Sequence, residues 1–334
     1  MSHIQTKRMR DVLIEKIYDK MHENKKIFFL SADFGSPVLD KVRENFEDRF
    51  INVGIAEQNL INVSTGLALE GFTVYAYAIA PFLTMRAYEQ IRVNLSISSQ
   101  IKEINVNLIG VGAGVSYDMS GPTHHCFEDL TIMGALPNFI VFSPSDWTLA
   151  ERFVDYSIQV KKPKYIRLDS KPLPGIYEGV GEFNFEDGFC ELLKGEEVCI
   201  VSTGYMTHKA LKVAEELKKN KINISVIDLF LLKPLNEDML FNHLKEYTCI
   251  VTIEEAFINK GGLDCLVLNI LRDRDSAIKV LNFGFKDQYA FHIGSRSYLY
   301  KQNQFDKENI VRIIKELRLK NFSRVALKSI MTAQ

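Results

Sequence analysis

The sequence predicts an α/β protein with two doubly wound domains, a parallel-sheet domain followed by a smaller α/β domain. Strand-like apolar runs alternate with helix-like periodic segments along most of the 334 residues. Runs such as residues 27–31 are continuously apolar, which is typical of strands covered on both faces. A stretch rich in proline and glycine interrupts the pattern between residues 170 and 197. We therefore expect a first domain at residues 1–175, a linker at 176–196 and a second domain at 197–334.

The first domain begins with Met9, Val12, Leu13, Ile17 and Met21, whose helical spacing predicts an amphipathic helix. Because parallel strands end at one edge of a sheet, the loops that follow them should share one rim, where ligands bind. Apolar runs predict strands at 27–31, 49–53, 73–79, 104–109, 139–143 and 164–168. Periodic segments predict helices at 37–46, from 57, at 82–97, from about 127, and after Ser145 or Asp146.

The second domain repeats the alternation on a smaller scale. Glu254 and Glu255 end a buried strand, but successive strand residues point to opposite faces, which favours a structural or interface role over a catalytic pair. Strands are predicted near 198–202, 222–227, 249–253 and 278–281, with helices near 207–219, 236–246, 262–271 and 307–317.

The composition indicates a soluble cytoplasmic protein without a nucleic-acid or membrane partner. Forty-one basic and 42 acidic residues give a net charge of −1, and no apolar run approaches the length of a membrane span. The charged N-terminus does not fit a signal peptide. The five cysteines are scattered without a CxxC motif, which favours reduced thiols over disulfides or a zinc site.

Glu57 opens a helix that is otherwise apolar, and its carboxyl group has two interpretations. It could complement the positive end of the helix dipole, as acidic residues in a first turn often do. Alternatively, it could be sheltered where strand meets helix, with a proton affinity raised by desolvation and suited to acid or base chemistry. Spacing alone favours the dipole interpretation.

The loop at residues 110–125 is rich in glycine and contains two adjacent histidines. Residues 110–115 resemble a dinucleotide-binding loop, but Val115 replaces the last glycine of that motif, so tight packing near a ligand is the better interpretation. Neighbouring residues do not face one metal ion from a regular element, so His124 and His125 do not predict a metal site.

Three motifs occur in order along the predicted rim: Gly54-Ile-Ala-Glu-Gln-Asn, Phe82-Leu-Thr-Met-Arg-Ala-Tyr and Gly121-Pro-Thr-His-His. Together they resemble the pyrimidine-binding domain of the transketolase family, which includes deoxyxylulose phosphate synthase. Val251-Thr-Ile-Glu-Glu and Gly261-Gly-Leu are similar to the C-terminal domain of that family. The resemblance covers nearly the whole chain.

The resemblance implies roles for three residues at a thiamine diphosphate site. Glu57 matches the glutamate that binds N1′ of the aminopyrimidine and promotes its imino tautomer. Phe82 matches the aromatic residue that stacks on the pyrimidine ring. His124 matches the histidine near the reacting carbonyl and hydroxyl groups of the substrate.

The resemblance also implies substrate contacts, and these depart from the family pattern. Ser31 and Arg167 match positions that hold an acceptor phosphate, and Arg86 lies near a phosphate-associated arginine of the deoxyxylulose branch. Ser120 occupies the position at which transketolases have an aspartate that binds sugar hydroxyl groups. The uncharged loop at 112–113 replaces a phosphate-binding histidine or arginine, so a standard ketose phosphate is not predicted.

The family holds the diphosphate and its Mg²⁺ through a Gly-Asp-Gly motif of an N-terminal domain, and this sequence has no such motif. The resemblance therefore implies a split enzyme that transfers a two-carbon ketol unit between sugars or sugar derivatives. This chain would be the C-terminal half, and an N-terminal-half subunit would hold the diphosphate and Mg²⁺. Two such pairs would form an α2β2 heterotetramer with the cofactor across each interface.

Two other interpretations stay open. The beta subunit of a 2-oxo acid dehydrogenase has this size and architecture, but it lacks the Gly-Pro-Thr-His-His motif. A regulatory homologue could keep the fold without the chemistry, although the presence of Glu57, Phe82 and His124 speaks against it.

Overall fold

The apolar runs form strands and the periodic segments form helices, with several additional short strands. A computed structural model of the protein describes residues 5–181 and 183–318. In chain order the strands are β1 (Thr6–Arg8), β2 (Ile27–Ser31), β3 (Phe50–Asn52), β4 (Thr73–Ile79), β5 (Val106–Val111), β6 (Ile140–Phe142), β7 (Lys164–Leu168), β8 (Pro172–Pro174), β9 (Phe189–Leu193), β10 (Val198–Ser202), β11 (Ser225–Leu229), β12 (Leu231–Lys233), β13 (Cys249–Phe257) and β14 (Lys279–Phe285).

The helices connect most of these strands. The segment predicted as one helix at 82–97 consists of a short α-helix, Tyr88–Gln90, between two π-helical turns, Phe82–Arg86 and Ile91–Ile97. Residues 307–318 are also helical. The α-helices are α1 (Met9–Glu23), α2 (Pro37–Asn45), α3 (Glu57–Leu69), α4 (Tyr88–Gln90), α5 (Asp129–Gly134), α6 (Trp147–Gln159), α7 (Met206–Lys219), α8 (Glu237–Leu244), α9 (Leu263–Arg272) and α10 (Arg296–Gln302).

The first sheet has the strand order β12-β6-β7-β5-β4-β2-β3 and is parallel except for β12, which runs antiparallel to β6. Phe29 and Tyr75 are buried on one face, in the core that includes residues of α1 and α6. The next residues, Leu30 and Ala76, are buried on the other face with residues of α3 and the segment 82–97. Consecutive strand residues point to opposite faces, so a sheet covered on both sides needs apolar residues at each position. The predicted doubly wound α/β fold is confirmed.

The second sheet has the order β14-β13-β10-β11-β9 and is parallel except for the edge strand β9. Residues of α7 and of the helix 307–318 cover one face, and residues of α8 and α9 cover the other. Glu254 and Glu255 of β13 point to opposite faces, as predicted. Glu254 accepts hydrogen bonds of 2.9 Å from the backbone N–H groups of Leu263 and Asp264 at the start of α9, a structural role.

The segment predicted as a linker contributes a strand to the second sheet and side chains to the first core. Strand β9 lies within it and pairs with β11, so the second domain begins before residue 197. Phe183 and Phe185 pack against the first core. Just before this segment, β8 pairs with β1. Proline and glycine therefore mark edge strands and turns here rather than an open connection, because proline is tolerated at the edge of a sheet.

In the described part of the chain, no helix combines the length and apolar character needed to cross a membrane. The same residues contain no group of three or more His, Cys, Asp or Glu side chains that could hold a metal ion.

Asp228 is a buried carboxyl group where the two domains and the connecting segment meet. It accepts hydrogen bonds from Ser145 Oγ at 2.5 Å, Thr207 Oγ1 at 2.7 Å and the Tyr177 hydroxyl at 2.9 Å. Desolvation is the largest influence and raises the pKa of Asp228 to about 7, although the three hydrogen bonds act in the opposite direction. The folded protein therefore holds a proton on Asp228 at pH values where an unfolded chain has lost it.

We expect Asp228→Asn to reduce the pH dependence of stability. Between about pH 4, near the ordinary pKa of aspartate, and about pH 7, the folded state binds the extra proton, so wild-type stability falls as pH rises through this window. The slope from this one group can approach about 1.4 kcal/mol per pH unit, and it disappears above the window. Urea unfolding of both proteins at about pH 4.5, 6 and 8 measures the difference. Parallel stability profiles would show that Asp228 does not titrate in this range.

Candidate functional site

The candidate site lies at the rim where the parallel strands of the first sheet end. Three connections contribute: the turn from β3 into α3, the segment that follows β4, and the loop after β5 at residues 112–125. Gly54 has a φ of +75°, a left-handed conformation that glycine adopts without strain, and it turns the chain from β3 toward α3. The predicted motifs therefore meet at one rim, as the order of the strands requires.

Glu57 is the first residue of α3 and is only 3% exposed. Its Oε2 accepts a hydrogen bond of 2.6 Å from Nη1 of Arg86, whose side chain is 46% exposed. The burial agrees with the interpretation of Glu57 as a sheltered carboxyl group. The arginine partner was not predicted, because nothing in the linear spacing indicates that residues 57 and 86 touch.

Phe82, Arg86 and His124 continue the site from Glu57. The Arg86 guanidinium carbon lies 4.8 Å from the centroid of the half-buried Phe82 ring. The rings of His124 and Phe82 form a T-shaped pair, with 5.3 Å between the ring centroids. His124 Nδ1 lies 3.1 Å from Thr123 Oγ1. The residues Glu57, Arg86, Phe82 and His124 thus form one continuous row, which we call the rim row.

The loop at 112–125 carries His124 and is shaped by glycines. Gly112 and Gly114 have φ values of +111° and +54°. A Cβ atom on Gly114 would come within 2.4 Å of the Cβ atom of Glu255 in the second domain. Ser120 is exposed, and its backbone N–H closes a turn onto Tyr117. Close packing therefore explains the glycines, in agreement with the prediction of a tight loop.

Gly114→Ala should destabilise the fold by about 1–3 kcal/mol, because the added methyl group meets Glu255 and the residue keeps a left-handed φ. The matched control is Gly66→Ala, at an exposed helical position of α3 where a Cβ atom meets nothing within 4 Å. That control should gain about 0.5–1 kcal/mol. Urea unfolding measures both changes, and equal effects of the two substitutions would contradict the close contact.

Charged groups of the second domain anchor this loop. Arg296 of α10 donates through Nε to Glu255 at 2.7 Å, and its Nη2 lies 2.6 Å from Asp169 at the end of β7. The backbone N–H of Arg296 also donates to the Asp118 carboxylate in the loop, at 3.1 Å. Burial opposes ionisation of Asp118, but the hydrogen bond and charge of Lys171 lower its pKa overall. The second domain therefore fixes the loop that presents His124.

Ser31 and Arg167, for which substrate binding is predicted, lie outside the rim row, and their side chains make contacts within the chain. Ser31 Oγ is buried and exchanges hydrogen bonds with the backbone of Phe34, which closes the turn after β2. Arg167 is 3% exposed, and its Nε donates to Asp129 at 2.7 Å. Its Nη2 donates to the Glu255 carbonyl at 2.9 Å. Because residue 167 lies within β7, its side chain projects from a face of the sheet and not from the rim.

His124 and His125 have different environments. His124 is half-buried in the rim row, whereas His125 is buried beside Phe127. Desolvation lowers the pKa of His125, which favours a neutral imidazole. Sequence reasoning missed Asp118 and Arg296 as anchors of the loop, and no local pattern could have paired residues so far apart in the chain.

Comparison with known families identifies both halves of the chain. The profile of the transketolase pyrimidine-binding domain matches residues 5–174, and that of the transketolase C-terminal domain matches residues 190–310. The two matches correspond to the two large sheets, except that β12 lies within the second match and pairs with the first sheet.

Individual relatives agree with these matches. An apulose-4-phosphate transketolase subunit of Actinobacillus succinogenes is 30% identical over 305 residues, which cover 91% of this chain and 96% of the relative. A putative transketolase C-terminal section of Methanocaldococcus jannaschii is 32% identical, with 90% and 92% covered. The 1-deoxy-D-xylulose-5-phosphate synthase of Clostridium tetani is 31% identical over 84% of this chain, but the match spans only 44% of that enzyme.

Solved structures show the same relationship. An inactive beta4 tetramer of a split-gene transketolase superposes with a TM-score of 0.82 at 30% identity, covering 92% of this chain and 97% of the other. The transketolase of Campylobacter jejuni shares the fold, with a TM-score of 0.77 at 19% identity over 94% of this chain and 47% of that enzyme. The chain therefore belongs to the transketolase family, and over nearly its whole length it is similar to subunits of transketolases that are divided between two genes.

Proposed function

We propose that this chain is the second subunit of a split transketolase that transfers a two-carbon ketol unit between sugars or sugar derivatives. The observation that carries the proposal is the rim row, which brings the buried carboxylate of Glu57 together with Phe82 and His124. This row lies in the domain that matches the transketolase pyrimidine-binding profile. A regulatory homologue without catalysis would not need to keep these three side chains in one place.

We propose thiamine diphosphate as the cofactor, shared with the partner subunit, and the residues of the rim row fit its aminopyrimidine. Glu57 offers a buried carboxylate that already accepts a hydrogen bond of 2.6 Å from the Arg86 guanidinium group. Phe82 offers a ring face over which the same planar group lies. When bound, the cofactor supplies the carbon nucleophile that carries the ketol unit. Glu57 would hold a proton at the ring nitrogen, and Phe82 would support the ring by stacking.

His124 and Ser120 are the residues of the 112–125 loop that we propose for substrate contact. The imidazole of His124 is half-buried beside Phe82, where it can exchange a proton with a substrate hydroxyl or carbonyl group. Ser120 is exposed on the same loop and offers a hydroxyl group to a sugar. Arg86 is the cationic member of the rim row and suits an anionic group of a substrate.

We propose that an N-terminal-half subunit covers the rim and holds the diphosphate and Mg²⁺, in a heterotetramer of two such pairs. Exposed apolar side chains lie beside residues of the rim row, and Ile55, two residues before Glu57, is 76% exposed. Met119 and Ile293 are also exposed, and a Cβ atom on Gly121 would lie 4.0 Å from Ile293. Apolar groups clustered around a polar site are typical of a surface that a partner covers. We place this assembly in the cytoplasm, where the five free cysteines would stay reduced.

Reconstitution tests the proposal directly. The chain would be mixed with the polypeptide that carries the Gly-Asp-Gly motif, with thiamine diphosphate and Mg²⁺, and product sugars would be measured by mass spectrometry. Ketoses and aldoses, with and without phosphate, would serve as donors and acceptors. We expect ketol transfer by the pair and none by either subunit alone. Transfer by the isolated chain would contradict the split enzyme, and decarboxylation of a 2-oxo acid without ketose use would favour a dehydrogenase subunit.

A further inference from the structure

Arg86 lies between the two side chains that we assign to the aminopyrimidine. We propose that Arg86 occupies the position of the cofactor's aminopyrimidine in the chain without cofactor, and that its guanidinium has to turn away before the cofactor binds. This inference rests on the proposed function, since it concerns how the same site is regulated.

The contacts of Arg86 reproduce those that an aminopyrimidine would make. A guanidinium group is planar, carries N–H donors at its edge and stacks on aromatic faces. Its Nη1 donates to Glu57 Oε2 at 2.6 Å, and its carbon lies 4.8 Å from the centroid of the Phe82 ring. One group thus satisfies the carboxylate and covers the ring face, so a flat heteroaromatic ring with an N–H edge would compete for both.

The structure also allows Arg86 to leave. Its side chain is 46% exposed, whereas Glu57 is buried and stays in place. Because the guanidinium group already contacts water, turning outward costs it less than it would cost an enclosed cation. The backbone of the residue is separately fixed, since its carbonyl group accepts a hydrogen bond of 3.3 Å from Gln58 Nε2. The side chain can therefore rotate outward while the helical segment keeps its position.

Displacement of Arg86 would link cofactor binding to substrate binding. Once the cofactor takes Glu57 and Phe82, the guanidinium group loses both partners and becomes available at the rim. A cation freed in this way can bind an anionic group of the substrate. Arg86 would thus compete with the cofactor before the cofactor binds, and it would contribute to substrate affinity once the cofactor is bound.

The first test measures cofactor affinity in the reconstituted pair. Arg86→Met should lower the dissociation constant for thiamine diphosphate, measured calorimetrically with Mg²⁺, by about three- to tenfold, since a half-exposed ion pair and a cation–π contact no longer compete. Arg92→Met, at an exposed position of the same segment, is the matched control and should leave this constant unchanged. A constant that is unchanged or higher in Arg86→Met would overturn the inference.

The second test needs no cofactor. In the isolated chain, urea unfolding of Glu57→Gln, Arg86→Met and the double variant forms a double-mutant cycle. We expect the effect of Arg86→Met on the unfolding midpoint to shrink when Glu57 is already glutamine, and independent effects would overturn the pairing. If the two wild-type subunits together bind no thiamine diphosphate, the proposed function fails and the inference fails with it. If the two-subunit enzyme binds thiamine diphosphate equally well with wild-type Arg86 and with Arg86→Met, only the inference fails.

Discussion

Glu57→Gln should lower ketol transfer by the reconstituted pair by about 10²–10⁴-fold, the range expected when a positioned acid–base group is lost. Glutamine has nearly the same shape as glutamate and can remain buried at the start of α3, but it cannot give up or take up a proton. The measurement is the steady-state rate at saturating thiamine diphosphate and substrate. Saturation separates the loss of proton transfer from a loss of affinity.

The matched control for this variant is Glu70→Gln, which changes an exposed glutamate at the other end of the same helix. Its rate should stay within about twofold of the wild type, because surface substitutions away from a site have small effects. Unfolding curves of both variants check that the fold is kept. A Glu57→Gln pair that turns over like the control would remove Glu57 from the chemistry.

Arg167→Met should lower the free energy of unfolding by about 3–5 kcal/mol, because it leaves the buried Asp129 carboxylate without its charged partner. The pair is completely enclosed, with side-chain exposures of 2% for Arg167 and 0% for Asp129. The Tyr165 hydroxyl still donates to Asp129 at 2.8 Å, but a neutral hydroxyl group does not compensate a buried charge. Urea unfolding of the isolated chain measures the loss.

Two further variants serve as controls for the stability of Arg167→Met. Arg43→Met removes an arginine that is 58% exposed and also pairs with an aspartate, and it should change stability by less than about 1 kcal/mol. The double variant Asp129→Asn with Arg167→Met should recover part of the loss, because it removes the charge that the single variant leaves unpaired. If Arg167→Met is as stable as Arg43→Met, the buried ion pair with Asp129 does not stabilise the fold.

Much of the fold could be predicted because its main strands are buried on both faces. Such strands appear as continuous apolar runs, as in residues 27–31 and 198–202, and the helices between them keep their periodicity. Strands β8, β9 and β12 were missed for a physical reason. Each lies at the edge of a sheet, and β8 and β12 have only three residues, so their pairing depends on which strand lies beside them rather than on their own residues.

Only those residues of the candidate site that belong to a local sequence motif could be predicted. Glu57, Phe82 and His124 belong to recognisable motifs, and the structure brings them together. Arg167 was matched by resemblance to a position that holds an acceptor phosphate, and its position within β7 places it against the buried Asp129. The contact between Arg296 and Asp118 joins residues 178 positions apart, and no periodicity or spacing reports a pairing over that distance.

Strand β12 has a consequence for engineering of the chain. Although it follows the first strands of the second sheet in sequence, it pairs with β6 and completes the edge of the first sheet. A recombinant fragment that ends before residue 231 would leave β6 with unsatisfied backbone groups, and an open edge of this kind promotes aggregation. Hybrids that combine the two halves of different relatives would therefore need a β12 that matches the first half, so the useful crossover points do not coincide with the boundary between the two family profiles.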